Sequence, residues 1–198
     1  SGGFTEEAAQ EALAHAEPLV RAWAVRLLGD AGCVTAELAA RLTELAAVEP
    51  AVEVRSQLAS TARRLPAEQG LPIVRRLLEH DEDAGDVHLP LLLWWAIEAR
   101  CGEDRERVLA MFADAGLWER RLVVEHICPR LMRRFAATGR RQDLAVCGRL
   151  VELAPHEEAV RVLVRGFEEA MAGRRLPEMP ASLARAIERL GGQSPLLA

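Results

Sequence analysis

Apolar residues return at every third or fourth position along almost the whole chain, in blocks separated by short breaks rich in Gly, Pro and acids. That spacing is helical. Nowhere do β-branched residues alternate with polar ones as a strand requires, so the pattern predicts an all-α chain. The first helix is expected over about Thr5 to Ala14, with Thr5 as N-cap and Glu6 and Glu7 in the first turn, where the helix dipole favours acids. The second opens at Glu17-Pro18, carries Val20, Trp23, Ala24, Leu27 and Leu28 as its core face, and stops at Gly29 to Gly32. The third runs from Thr35 to Val48 on Leu38, Leu42, Leu45 and Ala46. The fourth opens at Glu49-Pro50 with Val54, Leu58, Ala62 and Leu65. The fifth begins near Pro66 with Ile73, Leu77 and Leu78, and Pro72 is expected to bend it or delay its start.

An acidic loop, Asp81 to Gly85, leads into the most apolar run of the chain, Asp86 through Glu98. Leu89, Leu92, Leu93, Ala96 and Ile97 form one stripe, and Leu91, Trp94 and Trp95 make the flanks apolar as well. A helix apolar on most sides is packed on most sides, which predicts a central inner helix of a stack. Further helices are expected over about Glu103 to Ala113, Trp118 to Ala137 with a kink at Pro129, Arg141 to Leu153, and His156 to Ala172. A looser segment from Leu176 to Pro180 precedes a last short helix near Ser182 to Leu190.

Every second helix repeats a device. An acid opens it, and Val-Arg, or Arg after an apolar residue, follows about one turn in: Glu17 with Val20-Arg21, Glu49 with Val54-Arg55, Glu157 with Val160-Arg161. Glu119-Arg120-Arg121 offers it more loosely, and Pro90 takes the equivalent place in the Trp-Trp helix. A period of about 35 residues built as helix–turn–helix marks an α-solenoid, because one helix pair cannot cover its own apolar stripe. About five such pairs fit, as a single domain over residues 4–198. The arginines are expected to reach the acids of neighbouring repeats as a ladder. Ser1-Gly2-Gly3 reads as a cloning remnant, and the ends of the chain as those of a piece cut from a longer protein.

Composition narrows the function classes. All 25 basic residues are Arg, and the net charge of −5 disfavours nucleic acid and anionic membranes as general partners. The four cysteines, Cys33, Cys101, Cys128 and Cys147, include no C-x-x-C pair for zinc or haem attachment and read as buried free thiols. No apolar run is long enough to span a bilayer. No cofactor is expected.

The Val-Arg openings, with small residues such as Ala24 and Ala62 further on, resemble HEAT repeats over nearly the whole chain. Three runs carry a narrower likeness: Arg21 to Asp30, Val54 to Ser60, and Asp86 to Glu98. They resemble the helical segment of the planctomycete and verrucomicrobial membrane-bound dehydrogenase and c-type haem-binding proteins. In that family HEAT-like helices follow a propeller dehydrogenase and precede a cytochrome c-like domain. The resemblance implies a non-catalytic scaffold or docking module in the bacterial envelope. Its partner would be a protein or the neighbouring domains of the same chain. None of the family's catalytic or haem-ligating residues has a counterpart here.

The candidate partner-binding residues are His88, Trp95 and Glu98, which with Leu91 form a ridge on the Trp-Trp helix. Second helices of such stacks line the inner wall, where an exposed Trp is an interaction anchor. The competing and favoured expectation buries Trp95 in the core and uses His88 to cap the helix. An enzyme of the HEAT type is the alternative. A DNA glycosylase-like site would use Trp94 and Glu98 but needs a cationic groove, and the only dense basic stretch is Arg130, Arg133, Arg134, Arg140 and Arg141. A di-iron hydroxylase-like site needs repeated His-Glu pairs. Only His156-Glu157 has that order, whereas Glu79-His80 and Glu125-His126 are reversed. No Ser-His-Asp set or phosphate loop is visible, and Gly29, Gly102, Gly139 and Gly173 read as helix stops.

Overall fold

The structure, a computed structural model, describes residues 4–174 and 178–190. The expected cloning remnant at residues 1–3 and the start of the loose segment, Leu176 and Pro177, lie outside them. Among the described residues there are helices and no strands. The chain divides into two compact units, Ser1–Val108 and Leu109–Ala198.

The first unit holds α1 (Glu6–Leu13), α2 (Pro18–Asp30), α3 (Ala36–Val48), α4 (Val52–Arg64), α5 (Ala67–Leu77) and α6 (Leu89–Glu98). Thr5 and Thr35 cap α1 and α3, each accepting a hydrogen bond from the backbone N–H three residues on. The helices pack in two rows. In one, α2 lies on α4 and α4 on α6; in the other, α1 lies on α3 and α3 on α5. Leu42, Leu58, Leu65, Ile73, Leu77 and Leu89 fill the space between them and are fully buried. At about 1.5–3 kcal/mol each, these side chains supply the main drive to pair the rows. Pro72 does not delay α5: the helix begins at Ala67 and runs through the proline to Leu77. Pro72 is exposed, so the missing backbone bond faces water, while Leu71, Ile73 and Val74 hold the other side in the core.

The arginine rungs exist in this unit. Arg21 on α2 donates twice to Glu49, at 2.8 and 2.5 Å, and also to the carbonyls of His15 and Ala16. Arg55 on α4 repeats the arrangement one helix pair later, with Asp83 at 2.7 and 2.5 Å and the carbonyls of Glu49 and Pro50. Asp83 sits in a 3-10 turn over Asp81–Gly85 and is buried, so the acidic loop is not simply a solvated one. Pro90 stands where the next arginine would be, and the rungs end there. Longer links repeat the period. Thr61 donates to the Val25 carbonyl, the Gln69 amide pairs with the Val34 backbone, His80 Nε2 meets the Ala46 carbonyl, and Arg100 caps the end of α4 at Leu65. These partners lie 34 to 36 residues apart.

Glu49 shows how these rungs respond to acid. Burial alone pushes its carboxyl pKa up. Hydrogen bonds from Arg21 and the Ala51 N–H, with the charges of Arg21 and Arg55, outweigh burial and leave it below the ordinary glutamate value. Asp86 is lowered as well, chiefly by the N–H groups of Leu89 and His88. A carboxyl lowered in the folded state contributes stability above its unfolded pKa and loses it as pH falls, because the unfolded chain takes up the proton first. Urea unfolding should therefore give a constant free energy from neutrality to about pH 5.5 and a decline below about pH 5. Arg21→Gln should flatten that decline.

The second unit holds α8 (Cys128–Ala136), α9 (Arg141–Leu153), α10 (Glu157–Met171) and α11 (Ala181–Leu190), and α7 (Arg105–Met111) spans the division. Here α8 lies on α10 and α9 on α11. The single helix expected from Trp118 to Ala137 is instead a 3-10 turn over Ala115–Glu119, a π-helical turn over Leu122–Ile127 and then α8. Pro129 is the cause: it has no N–H to give and its ring displaces the carbonyl four residues back, so the chain widens by a π turn just before it. The Pro129 backbone also lies close against Gly166 of α10. A Cβ on Gly166 would overlap the Pro129 carbonyl oxygen, as one on Gly70 would overlap that of Ala62 in the first unit. Gly166→Ala is thus expected to cost about 1–3 kcal/mol, read as a lower urea midpoint at unchanged slope. The arginines that open its helices pair locally. Arg161 and Arg121 pair with Glu157 and Glu125 on their own turns.

Gly139 and Gly173 do stop helices, with φ of 64° and 71°. Gly29 does not: it lies inside α2, against Thr61 and Arg64 of α4. Three cysteines are buried as expected, but Cys33 is exposed in the turn after Gly32. Burial, helped by the Asp143 charge, pushes the Cys147 thiol up to about 12, and burial raises Cys128 further. In native protein a thiol-disulfide reagent should therefore label Cys33 alone, with the other three reacting only after denaturation.

Candidate functional site

The ridge on α6 differs from the buried arrangement that was favoured. Trp94 is the tryptophan that packs inward, at 9% exposed, and Trp95 is 40% exposed. Neighbouring residues on a helix point about 100° apart, so only one indole can face α4. His88 occupies the N-cap position but makes no side-chain cap bond; Asp86 caps instead, accepting from the N–H groups of His88 and Leu89 at 2.8 and 2.7 Å. His88 and Leu91 are exposed and Glu98 is half-buried. The flanks of α6 are thus open on one side.

That side continues across the row. On α2, Val20, Trp23 and Leu27, expected in the core, are exposed, Trp23 at 60%, and Leu19 lies beside them. The buried residues are Ala24, Val25, Leu28 and Gly29. At Gly29 α2 meets Thr61 and Arg64 of α4 so closely that a Cβ would overlap them, and the bulky indole lies on the other side of the helix. Two arginines lie over the exposed rings. Arg26 stands 5.4 Å from the centre of Trp23, and Arg63 on α4 stands 6.0 Å from that of Trp95. Beside the Trp95 ring, and reaching Arg26 on α2, runs an open groove of about 330 Å³, lined by Gln57 and Ser60 of α4 and by Arg26, Arg63, Arg64, Leu92 and Trp95. Arg64 is tied to Asp30 and Thr61. Among the described residues, neither Arg26 nor Arg63 has a carboxylate partner. No family model, curated protein or solved structure gives a significant match to this chain.

Trp23, Arg26 and Arg63 were not foreseen as functional residues. The available signal was the excess width of the α2 face: six apolar residues at 19, 20, 23, 24, 27 and 28 exceed what one neighbour can cover, and the small ones mark the covered side.

The residues of the enzyme alternatives are elsewhere engaged. Trp94 is buried, beyond reach of a nucleobase. His156 is the N-cap of α10: its Nδ1 accepts from the Ala159 N–H at 3.2 Å, which leaves the proton on Nε2, 3.4 Å from Glu119. His80 bonds Glu82 and the Ala46 carbonyl. Among the described residues no three His, Cys, Asp or Glu side chains converge on a metal-sized site, and no helix is long and apolar enough to cross a membrane. A second groove of about 600 Å³, by α9, α10 and α11, sets Glu152 and Glu157 against Arg185 and Arg189, a balance that favours neither charge.

Proposed function

We propose that the chain is a HEAT-like α-solenoid module without catalysis of its own, and that it binds a protein partner through the α2–α4–α6 face. The two-row packing, the rungs at Arg21 and Arg55, and hydrogen-bond partners 34 to 36 residues apart support the repeat reading. The exposed Trp23 and Trp95 on one row carry the binding reading. Water leaves little reason to keep two indoles at a surface, while buried Trp and Arg are the commonest anchors of protein interfaces. The likeness of the three runs further proposes a setting. The module would sit between a propeller dehydrogenase and a cytochrome c-like domain in the bacterial envelope, and dock one or the other.

A photo-crosslinking residue in place of Trp95, compared with one in place of Glu44 on the exposed side of α3, tests this in the protein's own cell. The reading expects a discrete protein adduct from position 95 and none from position 44. Equal labelling at both, or turnover of a substrate by the purified chain, would overturn it.

A further inference from the structure

We infer that the groove over α4 takes an acidic, extended peptide segment with one apolar anchor residue. This rests on the protein-binding reading of the same face and goes further by naming the partner's chemistry.

The argument starts from charge. The chain carries a net −5, yet the groove gathers three guanidinium groups, Arg26, Arg63 and Arg64, and among the described residues Asp30 alone pairs a carboxylate with them. Arg26 and Arg63 lie over indole rings, and a guanidinium held this way keeps its N–H edges free for a carboxylate. The indole also restricts the side chain in advance, so less freedom is lost on binding. The second ingredient is apolar. Leu92 and the Trp95 ring line the groove, and Leu19, Val20, Trp23 and Leu27 are exposed on α2, the helix that carries Arg26. A sugar–phosphate chain has nothing to place on leucine and valine, and the net charge opposes it at longer range. A peptide that mixes Asp or Glu with a Leu, Phe or Trp matches both parts.

The groove also sets a length. It crosses α4 from Arg26 on α2 to Trp95 on α6. Two interhelix spacings of about 8–10 Å give about 16–20 Å, which about six extended residues span at about 3.3 Å each. Gln57 and Ser60 in the lining offer side-chain partners to the peptide backbone as it crosses.

The test is selection of a random 12-residue peptide phage library on the whole chain, counter-selected on the Trp23→Ala/Trp95→Ala variant. Both indoles are exposed, so that variant should keep its circular dichroism and melting midpoint. The expected result is enrichment of sequences rich in Asp and Glu around one large apolar residue. A synthetic copy should bind at least tenfold more weakly to Arg26→Glu/Arg63→Glu and lose affinity as salt rises. Enrichment of basic or uncharged sequences that still need the tryptophans would overturn the acidic assignment and leave the protein-binding face standing. No enrichment over the variant would overturn both. Two further outcomes would replace the peptide. One is self-association that disappears in the tryptophan variant; the other is binding of a 20-nucleotide single-stranded DNA that disappears in Arg26→Glu/Arg63→Glu.

Discussion

Arg55→Ala is expected to lower the stability of the first unit by about 3–5 kcal/mol, the usual cost of removing one partner of a buried ion pair. Arg55 is 4% exposed and Asp83 3% exposed, so the carboxylate left behind cannot recover its hydration. The loss goes beyond the pair. Two carbonyls, of Glu49 and Pro50, give up their donor at the start of α4, and the 3-10 turn that carries Asp83 loses its tie to that helix. A fall in melting midpoint on the order of 10 °C should follow. Asp83→Ala should cost less, because Arg55 keeps both carbonyls and Glu82 at 3.8 Å. Replacing both partners, as Arg55→Met/Asp83→Leu, should recover most of the loss, since neither charge then remains buried alone. If the single and double variants melt together, the rung is packing rather than pairing.

Trp118→Ala is expected to cost the second unit about 3–5 kcal/mol. The side chain is 1% exposed, meets Phe112 edge-to-face at 5.6 Å, and donates its indole N–H to the Phe112 carbonyl at 3.0 Å. Truncation opens a cavity in the core and strands that carbonyl. Trp118→Phe keeps the six-membered ring but loses the donor and part of the buried volume, so about 1–3 kcal/mol is expected. Chemical denaturation followed by circular dichroism separates the two. The same change at Trp23, 60% exposed, should be nearly silent in stability. The contrast matters, because it marks which indoles serve the core and which are left for something else.

The difference between those indoles was only half legible from the amino acids. Helical period placed α3 and α4 and their buried faces correctly, because each has a stripe narrow enough to admit one orientation. On α2 the apolar residues covered too wide an arc, and periodicity gave Trp23 to the core. What marks the face is the close approach of α2 and α4 at Gly29, a tertiary constraint that periodicity does not contain. The rungs were visible in Arg21 and Arg55, but not their second acceptor. Asp81-Glu82-Asp83 contains three acids, and only the position of Arg55, on α4, selects the one to bury. Pro129 announced a disturbance without its form, since a kink and a π turn both answer a missing N–H. His88 was placed as a cap because it precedes the helix; Asp86, two residues earlier, has the shorter acceptor and takes the role.

The four tryptophans allow one direct examination of the face. With 5-fluorotryptophan incorporated, the free protein should show fluorine resonances of Trp23 and Trp95 that shift between light and heavy water, while those of Trp94 and Trp118 stay put. On addition of a selected acidic peptide, the same two solvent-sensitive resonances should move or broaden and the buried pair should not. Solvent-insensitive resonances for Trp23 and Trp95, or peptide binding that leaves both unchanged, would contradict the assignment of this face to a partner.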